Sequence, residues 1–272
     1  MTNIRFKRLT FEGSSVARKA TSFYVHQLKC LLDAGCEDER DIDTIFISHS
    51  HYDHTKALGQ ICLTNSRKIT IVIPEESFEA ISTYLSSVLT MNSGRKRSWK
   101  SKANFICMKP GLEIKFKSCG SSFVVRPYQC VHDVPTLGYG FFEYKQKLKS
   151  EFEGIEGKKI GELKRYGVEI TECIQLPQFV YLTDTTIDVF KVNPEILEIG
   201  YKMIMIECTF LQPDDMNGEK MHIIWDQLKP IVIEHPEIDF VLIHFSAKYT
   251  KEYIKEFFEK EGLTNVFPYF LL

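Results

Sequence analysis

Cysteine pairing, long apolar runs and an excess of either charge are all missing from this chain. Its eight cysteines, Cys30, Cys36, Cys62, Cys107, Cys119, Cys130, Cys173 and Cys208, form no Cys-x-x-C pair and so do not read as a thiolate metal site or a redox pair. Several lie inside apolar runs, where a free thiol packs as a small hydrophobe, and a reducing compartment suits them. No window approaches the roughly 18 consecutive apolar residues that a membrane-spanning helix needs. Residues 1–8 carry basic side chains but no apolar stretch long enough for a signal peptide. The expectation is a soluble intracellular protein, cytoplasmic, with the nucleus or an organelle left open. Basic and acidic residues number 34 and 36, for a net charge of −2, so net charge recommends neither nucleic acid nor an acidic membrane surface. Any polyanion would have to be met by a local patch.

A chain of 272 residues at 44% apolar content can bury a full core, as one large domain or two small ones. Histidine is scarce, eight in all, yet three fall within six positions, His49-Ser50-His51-Tyr52-Asp53-His54. The run before them, Thr44-Ile45-Phe46-Ile47, is short, β-branched and preceded by charged residues, and reads as a buried strand ending where the histidines begin. Four potential ligands then share one tight loop. Imidazole and carboxylate are the ligand types of zinc and similar divalent ions, and packing them so densely is costly unless a cation holds them together. The bland alternative is an exposed polar turn that happens to be rich in histidine.

Apolar alternation predicts strands over residues 4–11, 22–25 and 30–32, with Gly13-Ser14-Ser15 breaking the first from the second. Helices are predicted over 55–63, 75–89, 221–234 and 251–260, and further strands over 68–73, 178–183, 203–206 and 240–243. A meander of strands is read near 105–108, 113–116 and 123–128. Residues 93–102 hold five basic side chains around Trp99, a composition that either grips a phosphate backbone and stacks a base or forms a solvated loop. Residues 143–171, charged and glycine-punctuated, read as a linker or surface insertion.

Candidate ligands recur at strand ends: the cluster after Ile47, His132 near the end of the third meander strand, Asp184 after Thr183 and His244 after Ile243. Such convergence suits an open face at one edge of a sandwich. For His132 the alternative is a core histidine, and for Asp184 a cap on a helix starting at Ile187.

The His-x-His-x-Asp-His spacing resembles the metal motif of the metallo-β-lactamase superfamily. The resemblance implies an α/β (α+β) fold, a four-layer αββα sandwich, as a single domain over 1–272. Its two αββ halves would span about 1–142 and 177–272, joined by the charged insertion 143–176. Asp33, in Asp33-Ala34-Gly35, resembles the superfamily residue that supports the metal loop from behind, besides ending a strand. The scaffold hosts many reactions, so fold alone does not give chemistry.

Asp184-Thr185, Glu207-Cys208-Thr209-Phe210, His222 and His244-Phe245-Ser246-x-Lys248-Tyr249 together resemble the tRNase Z (ribonuclease Z) family, over residues 11–249. The likeness implies an endonuclease that removes the 3′ trailer from precursor tRNA, using two zinc ions per chain or manganese in their place, commonly as a homodimer. Carried over by position, His49, His51 and His132 would bind one ion, Asp53, His54 and His244 the other, and Asp184 both. Asp53 would act as base on an attacking water, His222 would protonate the leaving ribose oxygen with Glu207 orienting it, and Ser246 and Lys248 would hold a phosphate. The sequence departs from the family at Thr183, Cys208, the residue after His222, and Lys248. It also lacks a clear Gly-Pro-rich tRNA-gripping arm, leaving a short basic arm over 145–164 or a different substrate. A small-molecule or cyclic-nucleotide phosphodiesterase is the alternative, ahead of a non-catalytic nucleic-acid-binding scaffold.

Overall fold

In the computed structural model, which describes residues 3–6, 8–118, 120–216 and 218–269, two seven-stranded sheets pack face to face with helices outside both. The first sheet follows chain order: β1 (Asn3–Phe6), β2 (Leu9–Val16), β3 (Ala20–Val25), β4 (Cys30–Leu32), β5 (Thr44–Phe46), β6 (Ile69–Pro74) and β7 (Ala103–Met108). Pairing is antiparallel through β4 and parallel from β4 to β7. The second sheet repeats the scheme with β8 (Ile114–Ser118), β9 (Ser121–Gln129), β10 (Leu137–Leu148), β11 (Thr171–Leu182), β12 (Met203–Glu207), β13 (Asp239–Ile243) and β14 (Val266–Pro268), antiparallel through β11 and parallel after it.

Helices α1 (Tyr52–Thr55) and α2 (Leu58–Thr64) join β5 to β6, and α3 (Phe78–Ser93) joins β6 to β7. In the second half α4 (Gly157–Arg165) lies between β10 and β11, α5 (Val189–Val192) and α6 (Glu195–Glu198) precede β12, α7 (Trp225–Glu234) precedes β13 and α8 (Lys251–Glu261) precedes β14. Strands covered on both faces explain the continuous apolar runs. Met203 and Met205 lie between the sheets with Phe46, Phe141 and Phe179. Ile204 and Ile206 face the other way, toward Leu228 and Ile254 of α7 and α8. On the opposite outer layer Ile45, Ile47 and Ile71 meet Ile61 and Leu85 of α2 and α3. Phe141 stacks on Phe179 at 4.4 Å between ring centroids, with Phe11 edge-on at 4.9 Å; truncating such a buried ring to alanine costs about 3–5 kcal/mol.

Several expectations change. Gly13-Ser14-Ser15 does not break the strand: β2 runs through it, and a Cβ at Gly13 would sit 1.9 Å from the Ser22 carbonyl oxygen of β3. The glycine permits close pairing there. The three expected meander strands divide between sheets, since β7 pairs with β6 while β8 and β9 belong to the second sheet. The helix expected over 55–63 is instead two, α1 from Tyr52 and α2 from Leu58, so Asp53 and His54 are helical. The sheets change over between Met108 and Ile114, ahead of the boundary expected near 142. Residues 143–148 and 171–176 are strand, paired from Glu143 with Leu176 to Leu148 with Thr171 as a ribbon tipped by α4. Solvent reaches both faces of that ribbon, so its sequence carries no apolar alternation to reveal it.

Among the described residues no helix is long and apolar enough to cross a membrane, and all the cysteines are free thiols. Cys119 lies outside the described residues.

Candidate metal centre

Strand ends assemble the site. Asp33 follows β4, His49 and His51 follow β5, Asp53 and His54 lie in α1, and His132, Asp184 and His244 follow β9, β11 and β13. Three of these, Asp33 (φ 59°), Asp184 (φ 47°) and His244 (φ 61°), adopt left-handed backbone. That conformation is unfavourable for residues bearing a Cβ and persists only where surroundings over-determine it. Gly35 has no room for a side chain, because its Cβ would come 1.9 Å from the Asp53 carbonyl oxygen. The Asp33-Ala34-Gly35 turn therefore lies directly against the metal loop, with Ala34 N donating to the His54 carbonyl at 2.8 Å.

Asp33 is fully buried and accepts from Ser48 N at 2.7 Å, Ser48 Oγ at 2.9 Å, the Tyr181 hydroxyl at 2.7 Å and His54 Nδ1 at 2.8 Å. An ionised carboxylate only accepts, so His54 carries its proton on Nδ1. With the Ser48 hydroxyl donating to Asp33, His49 Nδ1 donates to Ser48 Oγ at 2.9 Å. Likewise the Thr209 hydroxyl donates to Glu207 at 2.6 Å and accepts from His244 Nδ1 at 3.2 Å. His132 Nδ1 donates to the Met221 carbonyl at 3.3 Å. Each ring is thus turned to point Nε2 into the cavity, the arrangement that orients metal-binding imidazoles.

The Nε2 atoms of His49, His54 and His244 are buried without a hydrogen-bond partner, a costly state for a polar atom unless something else takes the lone pair. Around them Asp184 divides its oxygens. Oδ2 faces His49 Nε2 at 3.6 Å and His132 Nε2 at 3.8 Å, while Oδ1 faces His54 Nε2 at 3.3 Å and His244 Nε2 at 3.2 Å. Asp53 Oδ2 stands 3.7 Å from both His54 Nε2 and His244 Nε2. Donors about 2.0–2.1 Å from a tetrahedral ion are about 3.4 Å apart, so these spacings fit a divalent cation. Two groups, His49/His51/His132/Asp184 and Asp53/His54/His244, each bring their ligand atoms within 4.8 Å of one another. His51 stands at the rim, its Nδ1 3.3 Å from His132 Nε2.

Charge follows the same plan. Burial, then the neighbouring His54, holds His49 well below the ordinary imidazole pKa, and burial also lowers His132 against the pull of Asp184. Burial opposes a charge on His54, yet Asp184 and Asp33 push its pKa well above the usual value. Burial would raise Asp184, but His244 and His54 hold it well below the carboxylate range. Burial likewise works to raise Asp53, but the neighbouring imidazoles of His244 and His54 prevail and lower it. The buried carboxylates thus require positive charge in the cavity they line.

Beside the cluster His222 Nδ1 donates to Glu207 Oε1 at 2.9 Å. Glu207 is fully buried and accepts also from Thr185 N at 2.6 Å and Ile223 N at 3.2 Å, so its position is fixed from three sides. Burial disfavours the imidazolium of His222, but Glu207 outweighs it and lifts the pKa to about 9. His222 lines an open cleft of about 870 Å³ with Phe210, Ser246 and Lys248. Lys248 Nζ is engaged there by Asp215, at 2.6 Å from Oδ1 and 2.9 Å from the carbonyl. Ser246 is tied through its backbone N–H to the Thr209 carbonyl at 2.9 Å.

Every candidate site residue read from the sequence therefore meets at one edge. Ser48 and Thr209, which set tautomers, and Tyr181, which holds Asp33, were not singled out. Ser48 and Thr209 adjoin motif residues, which is a usable signal, whereas Tyr181 reaches Asp33 from the other sheet and nothing in the sequence announces it. Arg18 was also missed; the tip of the β2–β3 hairpin docks through Ala17 N to the Phe245 carbonyl at 3.1 Å and brings Arg18 into the cleft, 3.0 Å from Glu219 Oε2.

Residues 22–245 match the family described as the beta-lactamase superfamily domain. The chain is 29% identical over 257 residues to tRNase Z TRZ1 of Arabidopsis thaliana, covering 90% of this chain and 88% of that one. It is 27% identical over 263 residues to the chloroplastic tRNase Z TRZ2 of the same plant, covering 93% and 72%. In structure it resembles the short form of human tRNase Z with a TM-score of 0.57 at 17% identity, covering 96% and 95%, a likeness of fold.

Proposed function

The chain belongs to the beta-lactamase superfamily, and from that premise we propose that it is a metal-dependent phosphodiester hydrolase, an endonuclease that removes the 3′ trailer from precursor tRNA. The observation that carries the reading is the division of Asp184, one oxygen to each histidine set, beside a Glu207-held His222. Similarity to tRNase Z proteins over most of the chain supports the choice of substrate.

His49, His51 and His132 would hold one ion and Asp53, His54 and His244 a second, with Asp184 shared. Zinc suits a site of imidazoles and carboxylates, and manganese is the alternative. The chemistry such a pair supplies when bound is Lewis acidity toward water and toward the phosphoryl oxygens. Asp53, partly open to the cavity, accepts a proton from the attacking water. His222, protonated below about pH 9, gives its proton to the ribose 3′ oxygen as the bond from phosphorus to that oxygen breaks. The products are a 3′ hydroxyl on the tRNA body and a 5′ phosphate on the trailer. Glu207 holds the imidazole in the orientation and charge state needed. Ser246 and Lys248 line the same cleft, and Lys248 reaches a phosphate by exchanging its Asp215 contact for one to the substrate.

The decisive experiment incubates the zinc-loaded protein with a precursor tRNA bearing a 3′ trailer, beside bis(p-nitrophenyl) phosphate and cyclic AMP. Release of the trailer is expected. Hydrolysis of the small esters with the RNA left untrimmed rejects the tRNA reading in favour of a small-molecule phosphodiesterase.

A further inference from the structure

We propose that the surface built by residues 80–112, at the edge of the first sheet remote from the metal centre, is a second RNA contact that grips the phosphodiester backbone of the substrate. The inference rests on the RNA-cleaving reading above and adds where the RNA beyond the scissile phosphate is held.

Charge distribution is the first observation. Residues 80–112 contain Arg95, Lys96, Arg97, Lys100, Lys102 and Lys109 and not one Asp or Glu. A segment carrying six positive charges in a chain of net −2 leaves the remainder at −8. Residues 145–164, where a short basic arm was expected, carry six basic against four acidic side chains, a weaker excess than the six against none of 80–112. The positive potential lies on the first sheet, and a polyanion is drawn there.

The second observation is that four of the six cations are available, Lys109 being paired with Glu75 at 3.4 Å and Lys102 Nζ donating to the Leu63 and Asn65 carbonyls at 3.2 and 3.3 Å. Arg95, Lys96, Arg97 and Lys100 are exposed, and among the described residues no ion pair or side-chain hydrogen bond engages them, although Lys100 Nζ lies over the Trp99 ring at 5.8 Å. Carboxylates on the neighbouring strand end are already committed, Asp41 and Asp43 to Arg67 at 2.7 and 3.0 Å. Cations near a helix C-terminus complement its dipole, which accounts for one or two of them but not for the lack of any acid over the whole segment.

Third, the loop has a fixed shape. Gly94 ends α3 in left-handed conformation (φ 66°), Thr90 Oγ1 accepts from Arg97 N at 3.0 Å, Ser93 Oγ donates to the Arg95 carbonyl at 2.8 Å and Ser86 Oγ accepts from Trp99 N at 3.2 Å. Between loop and helix lies an open groove of about 460 Å³, lined by Ser and Thr hydroxyls of α3 with Lys96 and Arg97 at its side. The hydroxyls of Ser82, Ser86, Ser87 and Thr90 donate to backbone carbonyls and shape the groove, and the cations at its side are what sequence-independent phosphate contacts use. Trp99 is not free to stack a base, being packed edge-on against Phe78 and Phe105 at 5.9 and 4.9 Å. The surface thus holds backbone and not sequence.

Position sets the test. α3 runs back from the C-terminal edge of β6, and β7 restarts parallel to it. The sixteen residues of α3 place the loop about 24 Å from the metal edge, beyond reach of a substrate of one or two nucleotides.

Precursor tRNA and a dinucleotide diester are to be compared on the wild-type protein and on the R95A/K96A/R97A variant, across a salt series. Wild type should trim the RNA. The variant should bind it at least tenfold more weakly at 0.1 M salt, with the slope of log affinity against log salt flatter by about 2–3, while cleaving the dinucleotide at the wild-type rate. In wild type, bound RNA should protect Lys96 and Lys100 from amine acylation, a measurement that needs no variant to fold. If wild type cleaves the dinucleotide but not the RNA, the functional reading fails. If it trims the RNA yet the variant keeps wild-type affinity and slope, or if Lys96 and Lys100 stay reactive under RNA, this inference is wrong. Protection by anionic vesicles and not by RNA would overturn the choice of occupant.

Discussion

His54 Nδ1 lies 2.8 Å from Asp33 Oδ2 with both side chains fully buried, so one carboxylate decides which nitrogen of His54 faces the metal centre. Asp33→Asn keeps the shape but loses the acceptor strength that fixes the tautomer. Metal affinity should fall about 10–100-fold, read by chelator competition. Unchanged affinity would remove Asp33 from this role.

The Glu207–His222 contact makes a pH prediction. With its pKa lifted to about 9, His222 is protonated at neutral pH, and turnover should decline as pH rises through 9. Glu207→Gln should draw that limb down toward the ordinary imidazole value near 6.5 and slow the reaction at pH 8. A histidine raised in the folded state stabilises fully below its unfolded pKa and ceases to as pH passes its folded one. Melting temperatures of wild type and His222→Ala should therefore converge between about pH 6.5 and 9. A constant difference across that range would show that the pair does not titrate as assigned.

His222 also stands within ligand distance of Asp184 and His244, so its role needs separating from metal binding. His222→Ala should lower turnover about 10²–10⁴-fold with metal content unchanged. Loss of metal with the substitution would make it a ligand.

Asp184 touches both histidine sets, so Asp184→Asn should deplete metal from both and abolish turnover, whereas His51→Ala, at the rim, should deplete one. Chelation of the wild type should lower its melting temperature, because an ion held only by the folded state stabilises it by mass action. Metal analysis beside a thermal melt decides both points.

Trp99 packs against Phe78 and Phe105, so Trp99→Ala should cost up to about 3 kcal/mol of stability and leave RNA affinity at its wild-type value. A denaturant titration and a binding isotherm separate the two effects.

The chain by itself determined the layers and most of the ligands. Runs such as 45–47, 203–206 and 240–243 are apolar at every position, as strands buried on both faces require. His49, His51, Asp53 and His54 share six positions, so their clustering needs no tertiary information. Asp184 and His244 were legible because each ends an apolar strand and parallel strands deliver their ends to one edge, whereas His132, three residues past β9 in the antiparallel part of the sheet, was legible only beside the motif.

Tertiary structure alone decided the rest. Division of the Asp184 oxygens between two histidine sets, and the hold of Tyr181 of β11 on Asp33 after β4, 148 residues away, depend on contacts across two sheets. Hydrogen-bond direction at that separation leaves no trace in local composition. The ribbon over 143–176 was hidden because exposed strands lack alternation, and Trp99 looked available because a sequence does not say what its rings face. Where burial or strand period dictates residue type the sequence speaks; where only distance between remote atoms matters, folding has to bring them together first.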